Sequence, residues 1–464
     1  MIQINVTLNR KMALSIILFV MSMMVIDTAI VKYIALTNNE LATPVYVGIF
    51  ITFTIVFVGT VIILLTVIKS KDSNPVVEPG LAVKSYNLLI AMTGLSLIGI
   101  LVIFIIQPTL ELKNYNTLAL FAIIYVSHII SLLFLFLLVL TLSDWIRTKR
   151  SKILSFYTAA FALTAVAIIT SLIYATNILA YQPTTIGPYP IHFSVINLPR
   201  GDLAIYFGPI LDVISIVSFV SVWVATSVLL NTYSKRLGKI KYWAIIAIPL
   251  IYFLFPFERS VADVFRPLID ASPALFGAVD ILVFSATKQI GALVFSLAFF
   301  AASALITKNE MQKYMLISAI GIAILFGSIE IDTLLYATYP PFGLITISFM
   351  PIGSYLVFSG ITLSATLLAR DKELRKEFYL TAMSELTLLK TIGVTEMEKE
   401  IIKSYKSIEK RSKASEMKET RFEKDTVREI LHDVVDDLDK DNVREILHEV
   451  LTELYTKSRP KSKT

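Results

Sequence analysis

Residues 255–332 read FPFERSVADVFRPLIDASPALFGAVDILVFSATKQIGALVFSLAFFAASALITKNEMQKYMLISAIGIAILFGSIEID. Two apolar runs of membrane-spanning length lie in this stretch. Set among them are Glu258, Arg259, Asp263, Arg266, Asp270, Asp280, Lys288, Glu330 and Asp332. A charge placed in hydrocarbon costs roughly 2.5–3.5 kcal/mol on insertion scales, so such residues face a partner or a water-filled cavity. The stretch therefore implies a polytopic membrane protein with a polar region near one surface.

The rest of the chain extends that reading. Its 464 residues are 55% hydrophobic and 17% charged, below the roughly 25% charged of a soluble domain. The apolar residues come in runs of about 20, the length that crosses ~30 Å of hydrocarbon. Spans are expected at about 12–36, 44–68, 86–107, 117–143, 153–180, 204–231, 241–257, 275–307, 313–338 and 342–369. The first is too long for the apolar core of a signal peptide and is read as a retained helix. The expected fold is an all-α polytopic membrane helix bundle of about ten spans over 1–369, with a helical cytoplasmic C-terminal tail.

The net charge of +6 has a location. From Arg370 onward acids and bases balance, so the surplus belongs to the membrane part. Loops on one side carry Arg10, Lys11, Lys69, Lys71, Lys84, Arg147, Lys149, Arg150, Lys152, Lys235, Arg236, Lys239, Lys241, Lys308 and Lys313. The other side carries Lys113, Arg200, Arg259 and Arg266. By the positive-inside rule the basic side is cytoplasmic, which places both termini there, in a cell membrane. The basic pI then needs no nucleic acid, and no recognition motif for one is present. The lipid bilayer is the first expected partner.

With that topology, Asp27, Lys32, Asp212, Asp280, Lys288, Glu330 and Asp332 all fall toward the outer ends of their helices. Acids exceed bases, which suits a small polar or cationic ligand. The same charges could instead pair between helices and lock the bundle. Two outer loops could cover the site. One, YQPTTIGPYPIHFSVINLPRGD from Tyr181, is broken by prolines and glycine. The other, at about 258–274, spaces Arg259/Asp263, Asp263/Arg266 and Arg266/Asp270 for helical ion pairs. It is read as an interfacial helix or a lid. His128, near mid-membrane, has no metal-ligand spacing around it and reads as a hydrogen-bonded packing residue.

Beyond the last span, 370–408 is expected to continue as helix, 409–424 is a charged linker, and 425–464 holds a repeat. TVREILHDVVDDLDKD at 426–441 is followed by NVREILHEVLTELYTK at 442–457. Each copy opens with a capping box and carries an apolar stripe, Val427, Ile430 and Leu431 in the first and Val443, Ile446 and Leu447 in the second. Such faces cannot be buried by one short helix, so they imply docking on a cytoplasmic protein or self-association. HEVLT at 448–452 resembles the start of the phosphoacceptor box of sensor histidine kinases. The proline expected after that box and the glycine-rich ATP motifs are absent.

The join at 341–393, where a span runs into a charged helix, resembles uncharacterised polytopic membrane proteins of archaea; the likeness implies no particular activity. The chain has no cysteine, and no nucleophile–base pair, metal set or cofactor loop is visible. It is therefore read as a non-enzyme without cofactor or metal: a membrane sensor or signal-coupling protein with an outward polar pocket. A secondary transporter for a cation or amine, and a structural membrane scaffold, are the alternatives. Gly208-Pro209 could break the sixth span as a carrier requires, but the first span has no matching Gly or Pro.

Overall fold

The computed structural model describes residues 8–37, 44–69, 80–109, 117–148, 152–181, 202–231, 238–254, 272, 275, 279, 286–304, 309–329 and 342–370. Helices account for nearly all of them. In chain order these are α1 (Arg10–Thr37), α2 (Pro44–Lys69), α3 (Gly80–Thr109), α4 (Thr117–Thr148), α5 (Lys152–Tyr181) and α6 (Asp202–Leu230). They continue with α7 (Lys239–Leu254), α8 (Thr287–Ala304), α9 (Asn309–Ser328), α10 (Leu344–Ser348) and α11 (Met350–Arg370). The sequence dictates this outcome simply. Runs of Leu, Ile, Val and Phe in lipid must satisfy every backbone N–H and C=O internally, and a helix does so within one segment.

Side-chain contacts fix the direction of neighbouring helices. Tyr125 meets Thr176 and His128 meets Ser171, so α4 and α5 are antiparallel. Tyr242 donates to the carbonyl of Ser227 while Trp223 donates to that of Ile246, so α6 and α7 are antiparallel. Gly321 lies against Val357 and Gly353 against Leu325, giving the same relation for α9 and α11.

The expected count of about ten spans is corrected. Among the described residues seven helices are long and apolar enough to cross a membrane: α1, α2, α4, α5, α6, α9 and the joined α10–α11. The apolar segments Tyr86–Ile100, Ile240–Leu254 and Thr287–Ala301 are shorter. The first of these lies within the 30-residue helix α3. The expected separate helical tail is corrected as well. The final described helix, Leu344–Leu367, is itself a membrane-spanning candidate. Residues 371–464, with the expected linker and repeat, lie outside the described residues.

The bundle is organised around α9 and α11. Over 18 residues of their spanning segments 89% and 100% are buried, against 33–50% over the same length in the five other long spans. Helices shielded from lipid need not be uniformly apolar, and these two carry Ser318, Ser328, Ser354, Ser359 and Ser364, all buried. Their backbones touch. A Cβ on Gly321 would sit 2.6 Å from the backbone nitrogen of Val357, and one on Gly353 would sit 2.6 Å from that of Leu325. Small residues allow this approach, and in lipid it is packing rather than water release that rewards it.

The last span is interrupted once. Pro351 has no N–H to continue the hydrogen-bond ladder. The Phe349 N–H instead closes a tight turn on the Thr346 carbonyl at 3.2 Å, and the ladder resumes from Gly353 to Phe349 at 3.0 Å. Phe57 meets Phe349 edge-on at 4.6 Å between ring centroids, so the break is packed on α2.

Candidate functional site at the end of the bundle that holds Asp27

Helix α1 lies on the central pair in the same direction as α9, with Met21 and Met24 packed over Gly327. Its two ends are tied by charged side chains of opposite sign. Arg10 donates from Nη2 to the Ser303 carbonyl at 3.4 Å, at the C-terminal end of α8, and to the Gln312 amide oxygen at 2.7 Å. Asp27 accepts at Oδ1 from the Gly343 N–H at 3.0 Å and at Oδ2 from Thr346 Oγ1 at 2.6 Å. The same N–H lies 3.1 Å from Oδ2, so it is shared between both carboxylate oxygens.

Both ties match the helix dipole. A cation sits at a helix C-terminus, and an anion sits where the last span begins. Asp27 is 1% exposed, so its side-chain oxygens are satisfied by these donors rather than by bulk water. Gly343 has φ +88°, a backbone conformation that glycine adopts without Cβ strain and that aims its N–H at the carboxylate.

The other expected site residues divide into two groups. Asp212 is exposed on α6, and Lys288 is half-buried in the first turn of α8. Phe219 of α6 packs on Phe295 at 4.8 Å and over Gly291, and Tyr157 of α5 packs on Phe299. Helices α6 and α8 thus run in the same direction. Asp212, two turns before Phe219, and Lys288 therefore come to the end of the bundle that also holds Asp27. Lys32 follows on α1, where the backbone is helical. Asp280, Glu330, Asp332, the outer-loop residues Glu258, Arg259, Asp263, Arg266 and Asp270, and the tail residues Val427, Ile430, Leu431, Val443, Ile446 and Leu447 lie outside the described residues.

A second polar feature runs along α5. Thr176 donates to the Tyr125 hydroxyl at 3.0 Å, Ser171 meets His128 Nε2 at 3.3 Å, and Thr164 meets Ser218 at 3.1 Å. His128 is fully buried, and its Nδ1 lies 2.8 Å from the Ile124 carbonyl. A carbonyl can only accept, so Nδ1 carries a proton toward Ile124. The imidazole is thereby fixed between α4 and α5. Among the described residues no group of three or more His, Cys, Asp or Glu is arranged to hold a metal ion.

Sequence reasoning missed the partners of Asp27 and Arg10. Gly343, Thr346, Ser303 and Gln312 are unremarkable residue types, and their separation in the chain hides the contacts. A glycine ahead of an apolar run was the one available signal, and it did not point to Asp27.

Compared with known protein families, with curated proteins and with solved structures, the chain finds no match. Its class therefore rests on its own architecture: an all-helical, multi-spanning membrane protein.

Proposed function

We propose that the protein is a signal-coupling protein of the cell membrane, in the style of the polytopic archaeal proteins that its 341–393 join resembles. Both termini lie in the cytoplasm in this reading, as the placement of basic residues favours. A small polar or cationic solute acts at the end of the bundle where Asp27, Asp212 and Lys288 lie. The last span carries the change to residues 371–464, which engage a cytoplasmic protein or a second copy of the chain. The chain has no catalytic role of its own in this scheme and requires no cofactor.

One observation carries the reading. The carboxylate of Asp27 is bound to Gly343 and Thr346 at the start of the last span, and residues 344–361 of that span are all buried. A shift at Gly343 cannot be absorbed by fluid lipid. Close-packed helices respond to such a shift by moving together or by passing it along their axis.

Hydrogen exchange across 371–464 in lipid nanodiscs tests this, comparing the parent chain with Asp27→Asn and Thr346→Val. Altered exchange beyond Arg370 is expected in both variants. A drop in thermal stability with unchanged exchange there would favour a structural scaffold. That second reading is supported by the glycine contacts that lock α9 to α11.

A further inference from the structure

The stretch of sequence that joins α6 to α7 is strongly basic. KRLGKIK at 235–241 places four cations in seven residues, and no acidic residue occurs between Asp212 and Glu258. Gly238, at φ +80°, turns the chain into α7, whose first backbone hydrogen bond runs from the Tyr242 N–H to its carbonyl at 3.0 Å. One face of α7 is then held firmly to α6. Tyr242 donates to the Ser227 carbonyl at 2.7 Å, and Trp223 donates to the Ile246 carbonyl at 2.8 Å.

The opposite face is an apolar stripe turned outward. Ile240 is 87% exposed, Trp243 56%, and Ile248 and Ile251 63% each. In a bilayer this stripe meets acyl chains. Exposed Lys241 and the neighbouring position Lys239 stand at its polar end. Tryptophan settles at the level of lipid headgroups, and lysine extends its ammonium past its aliphatic stem toward phosphate.

We infer that the start of α7 is a binding site for anionic phospholipid headgroups, centred on exposed Lys241 beside the Ile240–Trp243 surface, with Lys239 two positions before it in the sequence. Charge complementarity selects the occupant: the cations have no acid nearby in sequence, and the apolar stripe requires a ligand with acyl chains. A lysine near an anionic membrane surface is worth up to about a fivefold gain in lipid partition. The site is independent of the signalling role proposed above.

Tryptophan quenching by brominated lipid tests the assignment on the full chain in liposomes. Trp145 is buried and Trp223 is engaged with Ile246, so the quenching lost in Trp243→Phe reports on this surface. Brominated phosphatidylglycerol is expected to quench Trp243 several-fold more than brominated phosphatidylcholine at equal mole fraction. Lys239→Gln with Lys241→Gln should erase that preference, while the paired arginine substitutions and Lys313→Gln should keep it. Equal quenching by both lipids, or a preference untouched by the glutamines, would overturn the site. Loss of the preference to free inorganic phosphate at constant ionic strength would overturn the lipid assignment in favour of a soluble anion.

Discussion

Asp27 and Gly343, 316 residues apart in the chain, are joined by a buried hydrogen bond that fastens the first helix to the start of the last span. Thr346 reinforces it from the next turn. Removing the acceptor should cost more than weakening it. Asp27→Asn keeps one carbonyl oxygen for the Gly343 N–H. Asp27→Leu leaves that donor buried and unpaired, at a cost of about 1–3 kcal/mol. Thermal unfolding in detergent should rank parent, Asp27→Asn and Asp27→Leu in falling order. Equal midpoints for the two variants would show that the hydrogen bond does not hold the helices.

The α9–α11 contact makes a sharper comparison. Gly321→Ala and Gly353→Ala drive a methyl group into a neighbouring backbone. Overpacking of this kind costs typically about 1–3 kcal/mol. Gly59 of α2 has nothing within 4 Å of an added Cβ, so Gly59→Ala should be neutral or slightly stabilising. Urea-free thermal inactivation, followed by size-exclusion profile, would separate these cases. Similar losses at all three positions would contradict the central pairing.

Ser171→Ala removes the hydrogen bond to His128 Nε2 inside the α4–α5 interface. Interhelical hydrogen bonds within membranes average about 0.6 kcal/mol and reach about 1.7. A small loss of stability is therefore expected, well below that of Asp27→Leu. A loss as large as that variant's would mark His128 as a principal fastening of the fold.

The absence of cysteine allows sidedness to be read directly. Single substitutions Lys11→Cys and Lys241→Cys should react with a membrane-impermeant maleimide from one side of sealed vesicles. Asp212→Cys should react from the other side. Labelling of Lys11→Cys and Lys241→Cys from opposite faces would overturn the alternation of helices between α1 and α7.

The sequence by itself determined that this is an all-helical membrane protein, because apolar runs in lipid have few ways to satisfy their backbone. It also placed Asp27, Asp212 and Lys288 at one end, because helix length and the bias of basic loops convert position in the chain into depth. Hydropathy marked ten apolar runs; among the described residues seven are helices long and apolar enough to cross a membrane and three are shorter apolar segments. Tertiary structure decided the rest. The least apolar of the long spans, α9 and α11, proved to be the centre, because shielding from lipid frees a helix to trade hydropathy for glycine and serine at close range. Which donors meet a carboxylate is a matter of packing between segments hundreds of residues apart. Nothing in the local pattern around Asp27 encodes Gly343; the arrangement of α1 against the central pair does.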